Sequence, residues 1–277
     1  MSNITVSSYS MEGCVEWVMH SAHNGREYRI YISVPKGAPP AGGYPVIYAL
    51  DGDAVFGTLA EAARLQTRKP HGYDPAVIVG IGYPSREPFD MSRRCYDFTT
   101  PAPAENLPVR PRGEGWPERG GADDFLDFIQ HELKPELTAA YPLHPHRQTV
   151  FGHSLGGLLV LHALFSRPEL WQNYVAGSPS IWWNQHQVLS TRAAFEAERL
   201  RREGTPRLLI TIGADELPGM VEDAERLAAS LAPLAAKGFH SLLIKFADEG
   251  HVSVLPAAIS RMLKFALADP VQAGGAI

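Results

Sequence analysis

Gly152-His153-Ser154-Leu155-Gly156 sets a serine at the tip of a glycine turn. Ahead of it, Gln148-Thr149-Val150-Phe151 reads as a short apolar strand, and Gly157-Leu158-Leu159-Val160 continues as an apolar helix. A serine at such a strand-to-helix turn has a strained backbone, and its hydroxyl stands clear of both elements. Side chains at 152 and 156 are expected to collide in the turn, so both positions favour glycine. Ser154 then opens a helix, where the Leu155 N–H points at developing negative charge. The chemistry offered is nucleophilic attack on a carbonyl.

Such a serine needs a base and an orienting acid. His251 follows Gly250 and the run Ser241-Leu242-Leu243-Ile244-Lys245-Phe246. Asp215 and Glu216 follow Arg207-Leu208-Leu209-Ile210-Thr211-Ile212-Gly213. Both sites fall at carboxyl ends of predicted strands, where open α/β sheets bind ligands. The order is nucleophile, acid, base. His251 would take the Ser154 proton and return it to the leaving group, while a carboxylate holds its tautomer. Either Asp215 or Glu216 can supply that carboxylate. A second oxyanion donor besides Leu155 N–H is expected from the loop after Leu50. Asp53 N–H is the candidate, with Gly52 allowing close approach.

Other signals are weaker. His144-Pro145-His146 has H-x-H spacing, but no acidic or cysteine partner stands nearby in sequence. It reads as a turn before the strand, and no metal or other cofactor is expected. His153 reads as a packing residue. Trp182 and Trp183 are adjacent, so both cannot easily face inward, and one is expected to line the pocket mouth.

The elements that must position these groups alternate. Val15–His20 and Tyr28–Val34 flank His23-Asn24-Gly25, a hairpin signal. Pro45–Leu50 and Pro75–Gly82 are apolar runs, as in strands buried on both faces. Helices are predicted over about 54–68, from Gly121 to Tyr141, over 188–203, 219–236 and 255–268. Strands are predicted over 171–177, 207–213 and 241–246. This alternation gives one α/β domain over 1–277, a mostly parallel sheet covered on both faces with an N-terminal antiparallel hairpin. Residues 83–119 read as a long irregular excursion with seven prolines, six arginines and no lysine. Arginine favours bidentate or stacked recognition of planar anions. The opposing reading is a charge-balanced surface loop.

Composition bounds the partners. The 277 residues are 45% hydrophobic and 20% charged, with net charge −5, which argues against nucleic acid. No apolar run approaches the roughly eighteen residues of a membrane span. The stretch Met1–Ser7 has neither a basic nor an apolar leader pattern, and Cys14 and Cys95 have no C-x-x-C spacing. A cytoplasmic protein with reduced thiols is the expectation.

Together, Tyr48-Ala49-Leu50-Asp51-Gly52-Asp53, Arg94-Cys95-Tyr96-Asp97-Phe98-Thr99, the Ser154 turn, Ser178-Pro179-Ser180-Ile181-Trp182-Trp183 and Gly250-His251 resemble the Putative esterase (esterase D-like) family of α/β-hydrolases. The similarity runs from about residue 13 to 268. It is greatest to bacterial trilactone siderophore esterases acting on enterobactin, salmochelin or bacillibactin. The resemblance implies Ser154 as nucleophile, His251 as base, and Leu155 and Asp53 N–H as oxyanion hole. A family G-x-x-E pattern maps onto Gly213 and Glu216 and favours Glu216, although some siderophore esterases are described as dyads. The implied substrate is a small-molecule ester, a ferric catecholate siderophore. Arg93, Arg94, Arg110, Arg112, Trp182 and Trp183 are the expected substrate contacts. The alternatives are a carboxylesterase on small acyl esters or thioesters, and an inactive hydrolase fold used as a binding module.

Overall fold

Continuous apolar runs bury on both faces, and the strand Tyr44–Leu50 is buried at every position. In the computed structural model, residues 4, 6, 10–70, 72–110, 113–198 and 206–268 are described. The chain runs β1 (Cys14–His20), β2 (Glu27–Ser33), β3 (Tyr44–Leu50), α1 (Gly52–Gln66), β4 (Val77–Gly82), α2 (Met91–Asp97), α3 (Ala122–Phe128) and α4 (Lys134–Ala140). It continues through β5 (Leu143–His153), α5 (Leu155–Ser166), β6 (Asn173–Gly177), α6 (Gln187–Glu198), β7 (Arg207–Gly213), α7 (Pro218–Leu231), β8 (His240–Phe246) and α8 (Val254–Leu267).

All eight strands join one sheet in the order β1-β2-β4-β3-β5-β6-β7-β8. β1 and β2 pair antiparallel, as do β2 and β4, and every other pairing is parallel. Asn24-Gly25 makes the turn: Gly25 has φ 68 and donates its N–H to the Ser21 carbonyl. Parallel strands need helical crossovers, and these cover both faces. α1 and α8 pack on one face around Leu59, Ile47, Ile259 and Leu263. The remaining crossovers cover the other, where Phe125, Phe128, Ile129, Leu133 and Leu137 are wholly buried. Each such side chain contributes about 1.5–3 kcal/mol of transfer energy. A π-turn, Ile129–Leu133, joins α3 to α4. Pro135 follows with one residue between, and a proline removes the regular helical bond to the preceding turn.

Several expectations shift. The excursion 83–119 is not irregular throughout, because it contains α2. Asp90 caps that helix by accepting from Arg93 N–H at 3.0 Å, and Cys95 and Phe98 pack into the core. A seven-residue helix shows too few turns for periodicity to reveal it. β5 begins at Leu143, so His144-Pro145-His146 lies in the strand rather than before it. β6 begins at Asn173, two residues late, because the buried Trp171 N–H is taken by the Tyr174 hydroxyl at 3.2 Å. α7 ends at Leu231 and tightens into a 3-10 turn over Ala232–Lys237, where Pro233 interrupts the helical bonding. Residues 199–203 of the predicted helix 188–203 lie outside the described residues.

Candidate active site

The turn between β5 and α5 is built as its sequence requires. Ser154 has φ 60 and ψ −116, a left-sided conformation that costs a non-glycine residue about 1–3 kcal/mol. Backbone bonds hold it there. Ser154 N–H donates to Gly177 O at 2.9 Å, and Ser154 O accepts from Leu158 N–H and Ser180 N–H, both at 3.0 Å. A Cβ on Gly152 would lie 2.3 Å from Gly156 O, so no side chain fits at 152. Position 156 is different: its nearest neighbours would sit at 3.6 Å, ordinary contact, against the expected collision. The second glycine that matters is Gly157, where a Cβ would lie 2.7 Å from Gly177 O and 2.9 Å from Pro179 Cα.

Two loops bring Glu216 and His251 together. A Cβ on Gly213 would lie 2.2 Å from Glu249 O, so glycine lets the loop after β8 close on the end of β7. Asp215 N–H donates to Glu249 O at 3.0 Å and ties the loops further. Glu216 turns inward and is buried, while Asp215 is exposed. Glu216 Oε2 lies 2.6 Å from His251 Nδ1. Its other oxygen, Oε1, accepts from Gly213 N–H at 2.8 Å and from the Ser178 hydroxyl at 2.5 Å. Burial alone would raise this carboxyl. The bonds from His251, Ser178 and Gly213 outweigh it and hold the group below its ordinary range.

His251 packs against the residue before Ser154. His153, one residue before Ser154, lies 4.6 Å from His251 between ring centroids, tilted by 41°. His153 is buried among core residues, and burial pushes its pKa down to about 3, so its ring packs as a neutral face. The hydroxyl of Ser154 rests 3.4 Å from Ser180 Oγ in this state. A hydroxyl needs only a rotation about χ1 to change partner, and catalytic bonds commonly tighten when substrate binds.

Helix starts supply the donors for negative charge. Leu155 N–H opens α5, and Gly52 and Asp53 N–H open α1, so none has an acceptor within its helix. The two starts adjoin, since Gly156 faces Leu50 and Asp51 at the start of α1. The Asp53 carboxylate is turned away and occupied, with Tyr31 OH donating to Oδ1 at 2.5 Å and Tyr83 N–H to Oδ2 at 2.8 Å. A serine, an imidazole on a carboxylate, and paired amides can carry out acyl transfer: attack, oxyanion stabilisation and protonation of the leaving group.

The expected substrate contacts divide. Arg94 is a correction: it is 5% exposed and forms a bidentate pair with buried Asp51, which takes it out of any pocket. Trp183 is another. It is 1% exposed, with Nε1–H donating to Thr100 O at 3.3 Å, because the loop folds that ring into the core. Trp182 stays half-buried and packs on Trp116 with centroids 6.0 Å apart. Arg110 lies over Trp116, donating to Gly115 O at 3.0 Å and pairing with Glu114 at 3.4 Å. Arg93 lies over Tyr28 and Tyr83 and donates to Glu27 O at 3.0 Å. Arg112 lies outside the described residues. The sequence alone does not mark Trp116, Ser178 or Ser180 as site residues. The two serines stand directly after β6, at the ligand-binding end of the sheet, and that placement was the available signal. Among the described residues no group of three or more metal-ligating side chains gathers. A pocket of about 950 Å³ lies at the opposite end, where β4 begins, and its lining mixes Lys36, Arg64 and Lys69 with Glu12, Glu61 and Asp74.

Known proteins are similar over most of the chain. The family model described as Putative esterase matches residues 21–243. The ferri-bacillibactin esterase BesA of Bacillus subtilis (strain 168) is 44% identical over 270 residues, covering 95% of this chain and 92% of that protein. The apo-salmochelin esterase of Escherichia coli O6:H1 is 29% identical, covering 88% of this chain and 76% of that one. The crystal structure of the BES protein from Bacillus cereus superposes with a TM-score of 0.91 at 37% identity, covering 96% of this chain and 100% of that one. By these matches and by its sheet, the chain belongs to the Putative esterase family of α/β-hydrolases, carboxylic ester hydrolases of the serine type.

Proposed function

We propose that this chain hydrolyses the ester bonds of a ferric catecholate trilactone siderophore and so releases its iron. The observation that carries the substrate is the 44% identity, over 95% of the chain, to a protein named for ferri-bacillibactin. The chemistry follows from the site. Ser154 Oγ attacks a lactone carbonyl while His251 takes its proton, and Glu216 steadies the imidazolium. Leu155 and Asp53 N–H receive the oxyanion. His251 then protonates the departing alkoxide, and water repeats the sequence on the acyl-enzyme. Opening the lactone ring removes the preorganisation that gathers three catecholates on one ion, and the affinity for iron falls with it.

Trp116, Trp182 and Arg110 offer aromatic faces and a cation beside the loop that carries Ser180, chemistry suited to an anionic catecholate. Cys14 and Cys95 are both free thiols, which suits a reducing cytoplasm as the place of reaction. No described helix is long and apolar enough to cross a membrane.

The deciding measurement is turnover of ferric and apo trilactones beside p-nitrophenyl acetate. Preference in kcat/KM for the ferric trilactone supports the proposal. Preference for the simple ester replaces it with a general carboxylesterase, and inertness toward all three with a binding module.

A further inference from the structure

The loop Ser178-Pro179-Ser180 links the two halves of the site. It leaves β6, and three contacts fix it. Ser178 N–H donates to Thr211 O of β7 at 2.7 Å. Pro179 seats against Gly157 of α5, where any side chain would collide with it. Ser180 N–H donates to Ser154 O at 3.0 Å. Ser178 is completely buried and has φ 41, a conformation that glycine adopts more readily. A serine kept in a strained, dry position has a use for its hydroxyl.

That use is visible in the carboxylate. Glu216 has two oxygens with different partners. Oε2 has His251 Nδ1, and Oε1 has the Gly213 amide and the Ser178 hydroxyl. A buried carboxylate with one oxygen accepting two hydrogen bonds cannot turn its plane without breaking them. We propose that Ser178 is a positioning residue for hydrolysis: its hydroxyl fixes the Glu216 carboxylate so that Oε2 stays on His251 Nδ1. This rests on the Ser154–His251–Glu216 triad proposed above. Ser178 touches no reacting atom and works only through Glu216.

Ser178→Gly removes the hydroxyl and relieves the backbone at φ 41, so it separates the hydroxyl from the fold. It should leave the melting temperature unchanged or higher. It should lower kcat by roughly ten- to a hundred-fold, the rate equivalent of one charge-assisted hydrogen bond, with KM little changed. Ser178→Ala should lower kcat alike. In a Glu216→Gln background, Ser178→Gly should cost nothing further, because the two groups act as one unit. A kcat within about two-fold of wild type in both single variants would overturn the proposal and leave the triad standing if Glu216→Gln is slow. A fully active Glu216→Gln would overturn triad and proposal together. Equal, additive losses in both backgrounds would overturn the proposal in favour of a structural role.

Discussion

Arg94 and Asp51 meet face to face in the interior, Nε on Oδ1 and Nη2 on Oδ2, both at 3.0 Å. The same Nη2 donates to His153 O at 3.1 Å, at the residue before Ser154. Asp51 itself is the N-cap of α1 with φ 52, two residues ahead of Asp53. One guanidinium thus ties the end of β5 to the start of α1, the two places that present Ser154 and the proposed oxyanion donors. Arg94→Ala strands a buried carboxylate. Thermal or denaturant unfolding should show a loss of about 3–5 kcal/mol, and Arg94→Lys should recover only part of it, because an ammonium cannot fill two bonds in one plane. A stable Arg94→Ala variant with only a raised KM would restore Arg94 to the substrate side.

Ser154→Ala should abolish turnover. Loss of the nucleophile costs several orders of magnitude in kcat, leaving only binding and oxyanion contributions. The check is steady-state hydrolysis of an activated ester alongside a melting curve. More than about a tenth of wild-type activity would remove Ser154 from the proposed role.

Glu216→Gln should slow hydrolysis strongly, while Asp215→Asn, an exposed group, should leave it near wild type. The two side chains are adjacent, so the pair controls for disturbance of the loop. The reverse order of effects would move the acid to Asp215, and two silent variants would indicate a dyad.

Arg110→Ala should raise KM for a catecholate trilactone by roughly ten-fold, the loss of one charge-assisted contact, and change a small neutral ester little. Equal effects on both substrates would mean that Arg110 only supports Trp116 and the loop.

Asp97 supplies a test by pH. It is buried, and burial pushes its carboxyl up to about 7, with Arg93 and Arg26 opposing the shift. A carboxyl raised by folding binds its proton more tightly in the native state. Its contribution to stability is therefore greatest below its unfolded value of about 4, falls as pH rises toward 7, and levels above. Asp97→Asn lacks this dependence. Its melting temperature relative to wild type should climb between about pH 4 and 7 and then stay level. A difference independent of pH would show that Asp97 does not take up a proton there.

What the sequence by itself determined was local. Apolar runs marked the strands and Asn24-Gly25 the hairpin. The Gly152–Gly156 pentapeptide marked a turn whose strain its own backbone dictates. Chain order put His251 and two carboxylates at strand ends on one edge. Each is a property of a few consecutive residues, set by sterics and by which faces can be wetted. The G-x-x-E resemblance favoured Glu216, but the tertiary structure decided which carboxylate met His251, because neighbours 215 and 216 differ by a rotation that the 249–250 loop closes. Arg94 meets Asp51 across 43 residues, and Ser178 meets Glu216 across 38. A charge or hydroxyl read alone looks free to face water or substrate. Whether it is instead spent inside depends on a partner brought near by the sheet, and no spacing along the chain encodes that distance.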